Sequence, residues 1–191
     1  MKGLQLSTLA IGVITAATVN ANVPQQSDTW YQEAKSAIAA AKELKPIDGP
    51  AKNVILFVGD GMSVGTITAA RIYAGQQKGQ KGEEFVLAME RLPHTALSKT
   101  YNTDMQTPDS AGTATAMVSG VKTKAGIINV NDNVQRGFCN TQKGNEVKTA
   151  FQMAGEKGLS LGVVSTARLT HATPATAYAH SADRNWENDG K

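Results

Sequence analysis

Asp60 lies in a sequence context that suits a ligand for a metal ion. It follows directly after the apolar run NVILFV (residues 53–58) and stands between Gly59 and Gly61. Flanking glycines let the backbone fold tightly around a cation, and carboxylate oxygens are ligands that hard divalent cations prefer. An ordinary turn or a side-chain-to-backbone Asx motif is the competing interpretation. A Walker phosphate-binding loop is excluded, because the stretch GDGMSVG lacks the Gly-Lys-Ser/Thr ending of that motif.

Ser110 has the position of a nucleophile or of a simple helix cap. It begins the small-residue stretch SAGTATAMVSG (residues 110–120), which favours a helix. Free amides and the dipole at a helix N-terminus favour negative charge on a serine oxygen or on a bound phosphate. Asp109 beside it is able to hold an arginine in place. The serine elbow of esterases is excluded, because Pro108 stands where that motif needs glycine.

Further candidates follow the apolar run LSLGVVST (residues 159–166). His171 and Thr173 present an imidazole and a hydroxyl two residues apart, which an extended chain places on the same side. This pair fits an outer shell around a cation, and a structural histidine is the alternative. Arg184 comes one short predicted helix later, and a guanidinium is a natural bidentate partner for a phosphoryl group.

Together these residue types are what phosphoryl transfer through a serine needs. Ser110 would be a nucleophile without a histidine base, Asp60 a carboxylate for metal ions, and Arg184 the partner of the transferring group. Metal ions would lower the pKa of the serine hydroxyl and neutralise charge on the attacking and leaving oxygens. His94 and His180 are interpreted as structural side chains.

The elements that would position these residues alternate along the chain. Apolar runs at residues 53–58 and 159–166 favour strands, and HTALSKTY (residues 94–101) also suits a strand. Caps, apolar spacing and terminal glycines predict helices over residues 27–44, 63–76, 110–120, 144–158 and 173–180. Strands that alternate with helices predict an α/β fold with a mostly parallel central sheet and helices on both faces. Ligands of such folds collect beyond the carboxyl ends of the strands, where the candidate residues fall.

The first 21 residues differ in character from the rest of the chain. They contain Lys2, a weakly apolar stretch and a small-residue pattern that ends at Ala21, as in a signal peptide, although a buried N-terminal helix is the alternative. The stretch is too short and too rich in threonine to span a bilayer. We therefore expect export to a periplasm or the medium, no membrane span, and a single domain in residues 22–191.

The charge distribution and the single cysteine give information about binding partners and disulfide pairing. The net charge is +3 and the Lys and Arg residues are spread along the chain, so nucleic-acid recognition is not expected. Cys139 is the single cysteine, which is unusual in an oxidising compartment. It is either a buried free thiol or paired with another chain or with sequence outside these residues.

The motifs taken together resemble alkaline phosphatases, which are secreted, metal-dependent phosphomonoesterases. The likeness runs from about residue 53 to residue 186, in NVILFVGDGMSVGTITAAR, LSKTYNTDMQTPDSAGTATAMVSGVKT, CNTQKGNEVKTAFQMAGEKGLSLGVVSTARLTHATPATAYAH and DRNW. This resemblance implies that Ser110 becomes phosphorylated, that Asp109 orients Arg184, and that Arg184 clamps the phosphate. It also implies phosphate monoesters as substrates, inorganic phosphate as a product, and a homodimer.

The resemblance further implies zinc and magnesium as cofactors, with metal contacts from Asp60, Ser110, His171 and Thr173. Asp60 would be shared between a zinc and the magnesium, and Thr173 would belong to the magnesium site. The family has aspartate or histidine at position 171, and histidine implies looser magnesium binding. The remaining family ligands come from sequence beyond Lys191. This implies the N-terminal part of an alkaline phosphatase, inactive alone, in which Cys139 pairs with a cysteine downstream.

Two alternatives remain open. The same fold class serves sulfatases, phosphodiesterases and cofactor-independent phosphoglycerate mutases, but the sulfatase modification motif is missing after TPD, and Arg184 fits a terminal monoester. An inactive or phosphate-binding truncated product is the other alternative, because Ser110, Asp60 and Arg184 are able to bind phosphate without turnover.

Overall fold

The computed structural model describes residues 24–190 of the chain, so the predicted signal segment lies outside the described residues. Two compact units are present. One contains the described residues up to Asp48 together with Arg91–Pro93, and the other contains Gly49–Glu90 and the residues from His94 onward. No helix within residues 24–190 is long and apolar enough to cross a bilayer.

The first unit is built on helix α1, Thr29–Glu43, which a short 3₁₀ turn at Pro24–Ser27 precedes. Asp28 caps it, since a carboxylate oxygen accepts a hydrogen bond from the Tyr31 amide at 3.1 Å. The helix predicted over residues 27–44 is confirmed, because both the cap and the apolar spacing are local sequence signals.

The second unit contains the other four α-helices of the described residues, and all four were predicted from the sequence; short 3₁₀ turns at Ala88–Arg91 and Cys139–Thr141 were not. Their bounds are α2, Val64–Gln76, α3, Ser110–Ser119, α4, Ala150–Glu156, and α5, Ala172–Ala175. Gly120 ends α3 in the left-handed conformation with φ of 74°. The last two helices are shorter than predicted. The Val147 amide donates to the Asn129 carbonyl at 2.9 Å, so the chain before α4 pairs with another segment instead of continuing the helix.

The predicted strands are not found in the described part of the chain. The segments 53–58, 94–101 and 159–166 form no strand and no bridge, and β pairing elsewhere in residues 24–190 is limited to isolated bridges. Phe57 is 91% exposed and Val164 is 100% exposed, so these apolar runs are not covered. A strand forms only when a second segment takes up its backbone hydrogen bonds. The mostly parallel central sheet predicted from the sequence is therefore not confirmed.

The core of the second unit is formed by residues of α3 and α5 together with residues outside the helices. One cluster joins Ala111 of α3, Ile128, and Ala172 and Ala175 of α5. A second cluster contains Ile127, Val130, Val134 and Ala182, against which Trp186 packs. The first cluster packs the start of α3 against α5, which His171 directly precedes. The second cluster contains Ala182, two residues before Arg184.

The buried Asn129 connects the two regions of this core. Its side-chain amide donates to the carbonyls of Thr176 and Ala179, both at 2.7 Å, directly after α5. Its backbone amide donates to the Thr115 hydroxyl of α3 at 2.9 Å. Because these bonds take up carbonyls that follow α5, they favour the end of this helix at Ala175, before the predicted end at residue 180.

Candidate functional site

Asp60 lies in a tight turn immediately before α2. The Met62 amide donates to the Gly59 carbonyl at 3.3 Å, and Gly61 has a φ of 66°, which favours glycine. A β-carbon at Gly59 would overlap the Met62 side chain, so both glycines are needed for this turn. The carboxylate of Asp60 is 49% exposed and therefore accessible.

Asp109 caps α3 and collects hydrogen bonds on both carboxylate oxygens. Oδ1 accepts from the Gly112 amide at 3.0 Å and from the Asn102 side chain at 2.9 Å. Oδ2 accepts from the Gly126 amide at 2.8 Å and from Nη1 of Arg184 at 3.0 Å. Burial raises the pKa of this carboxyl, but the donors outweigh burial, so the pKa lies below its usual range. Asp109 is thus held as a carboxylate.

Ser110 is the first residue of α3 and is partly exposed. The capping oxygen of this helix belongs to Asp109, so the interpretation of Ser110 as a simple cap is wrong. The Ser110 hydroxyl stands at the helix N-terminus, where the dipole favours a serine oxygen with negative charge.

Arg184 connects Asp109 with His171. Its Nη1 donates to Asp109, and its Nη2 lies 3.1 Å from Nε2 of His171. The Arg184 amide also donates to the Gly126 carbonyl at 2.8 Å, which fixes the backbone from which the side chain extends. A guanidinium has no acceptor, so Nε2 of His171 accepts this bond and the neutral ring carries its proton on Nδ1.

Asp60 meets His171 and Thr173 across a long stretch of sequence. The Thr173 hydroxyl donates to Oδ2 of Asp60 at 3.1 Å, between residues 113 positions apart. Nδ1 of His171 lies 4.0 Å from the same oxygen. A continuous series of contacts therefore runs from Asp109, next to Ser110, through Arg184 and His171 to Asp60.

The family model described as Alkaline phosphatase matches residues 51–191. The chain belongs to the alkaline phosphatase family. It is 46% identical to the tissue-nonspecific alkaline phosphatase of Gallus gallus, with 100% of this chain and 37% of that protein covered. The human tissue-nonspecific isozyme is also 46% identical, with 97% of this chain and 36% of that protein covered.

Solved structures agree with this assignment. The cold-active alkaline phosphatase of a Shewanella species matches with a TM-score of 0.55 and 32% identity, over 67% of this chain and 29% of that one. The alkaline phosphatase of Thermus thermophilus matches with a TM-score of 0.55, over 68% of this chain and 25% of that one. The alkaline phosphatase segment described here thus spans just over a third of the length of its curated relatives.

The side chains around Asp60 suit a hard cation in their chemistry. Carboxylate and hydroxyl oxygens are ligands that magnesium prefers. Nδ1 of His171 is buried and has no hydrogen-bond partner among residues 24–190, so a polar group is missing beside it. The described residues contain no group of three or more His, Cys, Asp or Glu side chains that could hold a metal ion. The oxygens of Asp60 and Thr173 are therefore suited to a cation in their chemistry, but the described residues do not group them with enough further ligands to hold one.

His180 and Cys139 are two further residues for which a prediction follows from the sequence. Nδ1 of His180 lies 2.7 Å from the Asn129 carbonyl and Nε2 lies 2.9 Å from the Gln152 side chain, in a network that joins α4 to the core. These contacts support a structural role. Cys139 is free and exposed among the described residues, so the alternative of a buried thiol is wrong, while pairing with another chain or with sequence outside these residues stays a prediction.

Sequence reasoning missed the donors Asn102 and Gly126, which hold Asp109. Asn102 is buried and lies seven residues before Asp109 in sequence. Gly126 lies 17 residues after it. Neither residue belongs to a local pattern of apolar spacing or capping, so its role becomes visible only when the chain is folded.

Proposed function

We propose that this chain supplies the nucleophile and the phosphate clamp of an enzyme that hydrolyses phosphate monoesters through a phosphoserine. The observation that carries the proposal is the position of the Asp109 carboxylate, which caps the helix that begins at Ser110 and also holds Arg184 at 3.0 Å. One carboxylate therefore fixes both the helix end and the guanidinium.

Ser110 is the nucleophile in this proposal. Its hydroxyl gives up its proton to solvent and its oxygen forms a bond to phosphorus while the bond from phosphorus to the alcohol oxygen breaks. The leaving alkoxide takes up a proton from water and departs as the alcohol. Water then attacks the phosphorus of the phosphoserine and the bond from phosphorus to the serine oxygen breaks. The serine oxygen regains a proton from water, and inorganic phosphate is released. The positive end of the α3 dipole favours the negative charge that develops on the serine and phosphoryl oxygens.

Arg184 binds the phosphoryl group. Each terminal nitrogen of a guanidinium carries two hydrogens. Nη1 uses one for Asp109 and Nη2 uses one for His171, so a second hydrogen remains on each nitrogen for phosphoryl oxygens. Two parallel N–H donors on one planar group bind a phosphate in a defined orientation.

Zinc and magnesium are the proposed cofactors, with Asp60, Thr173 and the Ser110 hydroxyl as their contacts in this chain. The chemistry that such ions supply when bound is a lower pKa of the serine hydroxyl and neutralisation of the developing charge. We place His171 in the outer shell, because its proton on Nδ1 faces Asp60 at 4.0 Å and a ligating nitrogen must be unprotonated. There it would orient the Asp60 carboxylate or a water on the cation.

The substrate range and the setting of the enzyme follow from the same proposal. Contacts come from the phosphoryl group, so monoesters with different alcohols would be accepted. We further propose that residues 22–191 form the N-terminal part of one catalytic domain, within an exported, homodimeric enzyme. The match to about a third of the curated relatives' length supports only the proposal that these residues are part of a larger catalytic domain. Export and dimerisation rest on the family resemblance.

The test uses the full gene product, loaded with zinc and magnesium, and a chromogenic phosphate monoester at alkaline pH. Ser110→Ala is expected to lower kcat by about a thousandfold or more, because the covalent route is lost. Ser119→Ala is the matched control, since it removes a hydroxyl at the other end of the same helix. An unchanged rate in Ser110→Ala would contradict the proposal. A faster rate on a diester would favour a phosphodiesterase, and phosphate binding without release of alcohol would favour a binding protein.

A further inference from the structure

Arg136 forms a two-point ion pair with the residue that precedes the phosphate clamp. Its Nε and Nη2 each lie 3.3 Å from a carboxylate oxygen of Asp183. The Asp183 side chain is only 17% exposed, whereas Arg136 is 43% exposed. Oδ1 of Asp183 also accepts a hydrogen bond from the Asn185 amide at 2.9 Å. The residues before and after Arg184 are therefore joined by this bond.

The same guanidinium packs on Gly126. A β-carbon at Gly126 would overlap Arg136, so the arginine lies directly against this glycine. Gly126 has a φ of 80°, a conformation that side chains other than glycine rarely adopt. Its amide donates to Asp109 and its carbonyl accepts from the Arg184 amide, both at 2.8 Å. Arg136 therefore covers a backbone unit that contacts both Asp109 and Arg184.

We propose that Arg136 is a positioning residue for the phosphate clamp, and this proposal rests on the proposed function. It packs on Gly126 and pairs with Asp183, so it fixes the backbone at two points that hold Asp109 and Arg184. The planar guanidinium suits this role because it pairs with a carboxylate through two donors and still presents a flat face for packing.

Charge gives Arg136 a second effect on the clamp. Asp183 is the direct neighbour of Arg184 in sequence, and an unpaired carboxylate there would weaken the attraction of Arg184 for a phosphate dianion. The two donors of Arg136 occupy Asp183 and compensate its charge. Removal of Arg136 would therefore weaken the binding of phosphate more than it would slow the chemical step.

The test replaces Arg136 by Gln and by Lys in the full gene product with zinc and magnesium. Arg136→Gln is expected to raise KM for a monoester and the inhibition constant of inorganic phosphate by about tenfold, with kcat changed about twofold or less. Arg136→Lys should give an intermediate increase, since it keeps the charge but loses the planar fork. Arg71→Gln is the matched control, because it removes another arginine pair, with Glu90 at 3.2 Å, that belongs to no part of the site.

A double-mutant cycle shows whether Arg136 acts through Arg184. In an Arg184→Gln background, Arg136→Gln is expected to add little further loss of phosphate affinity, because the clamp is already gone. Equal losses in both backgrounds, or an unchanged phosphate constant in Arg136→Gln, would overturn the proposal. Melting temperature and metal content separate this effect from misfolding, and Arg136→Lys serves if the Gln variant does not fold.

Titration calorimetry measures the dissociation constant of inorganic phosphate directly, without turnover, and so replaces the inhibition constant. If Ser110-dependent hydrolysis is absent, the proposed function fails, while the calorimetric cycle still decides the role of Arg136. A tenfold weaker binding in Arg136→Gln would then support positioning of a phosphate-binding arginine, and unchanged binding would refute it.

Discussion

The Asp109 carboxylate has the central place in the site at the scale of single residues. Its four donors come from three directions: the amide of its own helix at Gly112, the Asn102 side chain, and the pair Gly126 and Arg184. Such a set stabilises the charged form and fixes the carboxylate in one orientation. The residue next to Ser110 therefore determines both where the serine stands and where the arginine points.

Glu187 is a second carboxylate whose state the fold determines. It accepts hydrogen bonds from the Arg168 guanidinium and from the Thr170 hydroxyl, the latter at 2.7 Å. The bond from Arg168 is the main reason why the pKa of Glu187 falls from 4.5 to about 2. The pair joins the chain just before His171 to the chain just after Arg184.

A pH-dependent effect of Glu187 on stability follows. A lowered pKa in the folded state means that stabilisation is present above pH 4.5 and is lost as the pH falls towards about 2. We expect Glu187→Gln to unfold at lower urea concentration than the parent at neutral pH, and the difference to vanish across this window. Urea denaturation of both proteins, with chelator present throughout, measures it. A difference that is constant with pH would contradict the assignment. Glu156→Gln is the control, because it removes an exposed ion pair, with Lys148 at 2.6 Å.

The turn at Gly126 is the backbone element that contacts both Asp109 and Arg184. Two glycines in this region have nearly equal positive φ, 80° at Gly126 and 81° at Gly137, but only Gly126 has a neighbour, Arg136, where a β-carbon would lie. The two positions therefore separate the cost of the backbone conformation from the cost of displacing Arg136.

We expect Gly137→Ala to lower the free energy of unfolding by about 1 kcal/mol, the cost of a left-handed alanine. Gly126→Ala should lower it by about 1–3 kcal/mol more, because Arg136 must move and its ion pair with Asp183 is lost. Chemical denaturation of both variants in the full gene product measures the difference. Equal losses would show that Arg136 moves away from Gly126 at no cost.

Helices were predicted more reliably than strands in this chain, for a physical reason. Helix α3 is specified by Asp109 at its start and Gly120 at its end, both within reach of the local sequence. The run 53–58 is apolar enough for a strand, but a strand also needs a partner from elsewhere in the chain. The local sequence shows that this run is apolar, but it does not show which distant segment would pair with it.

At the scale of the whole molecule, the chain exposes apolar surface that a stable enzyme would cover. Val54, Phe57, Leu97 and Val164 are each more than 80% exposed. Exposed apolar patches of this kind bind other apolar surfaces. The described residues also contain no group of three or more His, Cys, Asp or Glu side chains that could hold a metal ion.

Residues 22–191 and the full gene product should therefore behave differently. We expect metal-dependent monoester hydrolysis in the full product and none in the short chain, together with strong binding of an apolar fluorescent dye by the short chain. Parallel assays with zinc and magnesium measure both properties. Hydrolysis by the short chain that Ser110→Ala abolishes would show that these residues hold their metals unaided.

The sequence by itself determined the features that depend on near neighbours. Ser110 at a helix start, Asp60 between turn glycines, and an arginine suited to phosphate were all readable, because caps, turns and residue chemistry act over a few positions. Tertiary structure decided the rest. It brought Asp109 to Arg184 across 75 residues and Thr173 to Asp60 across 113, and it placed Arg136 on Gly126. Such contacts depend on how the core packs, and no local pattern encodes them.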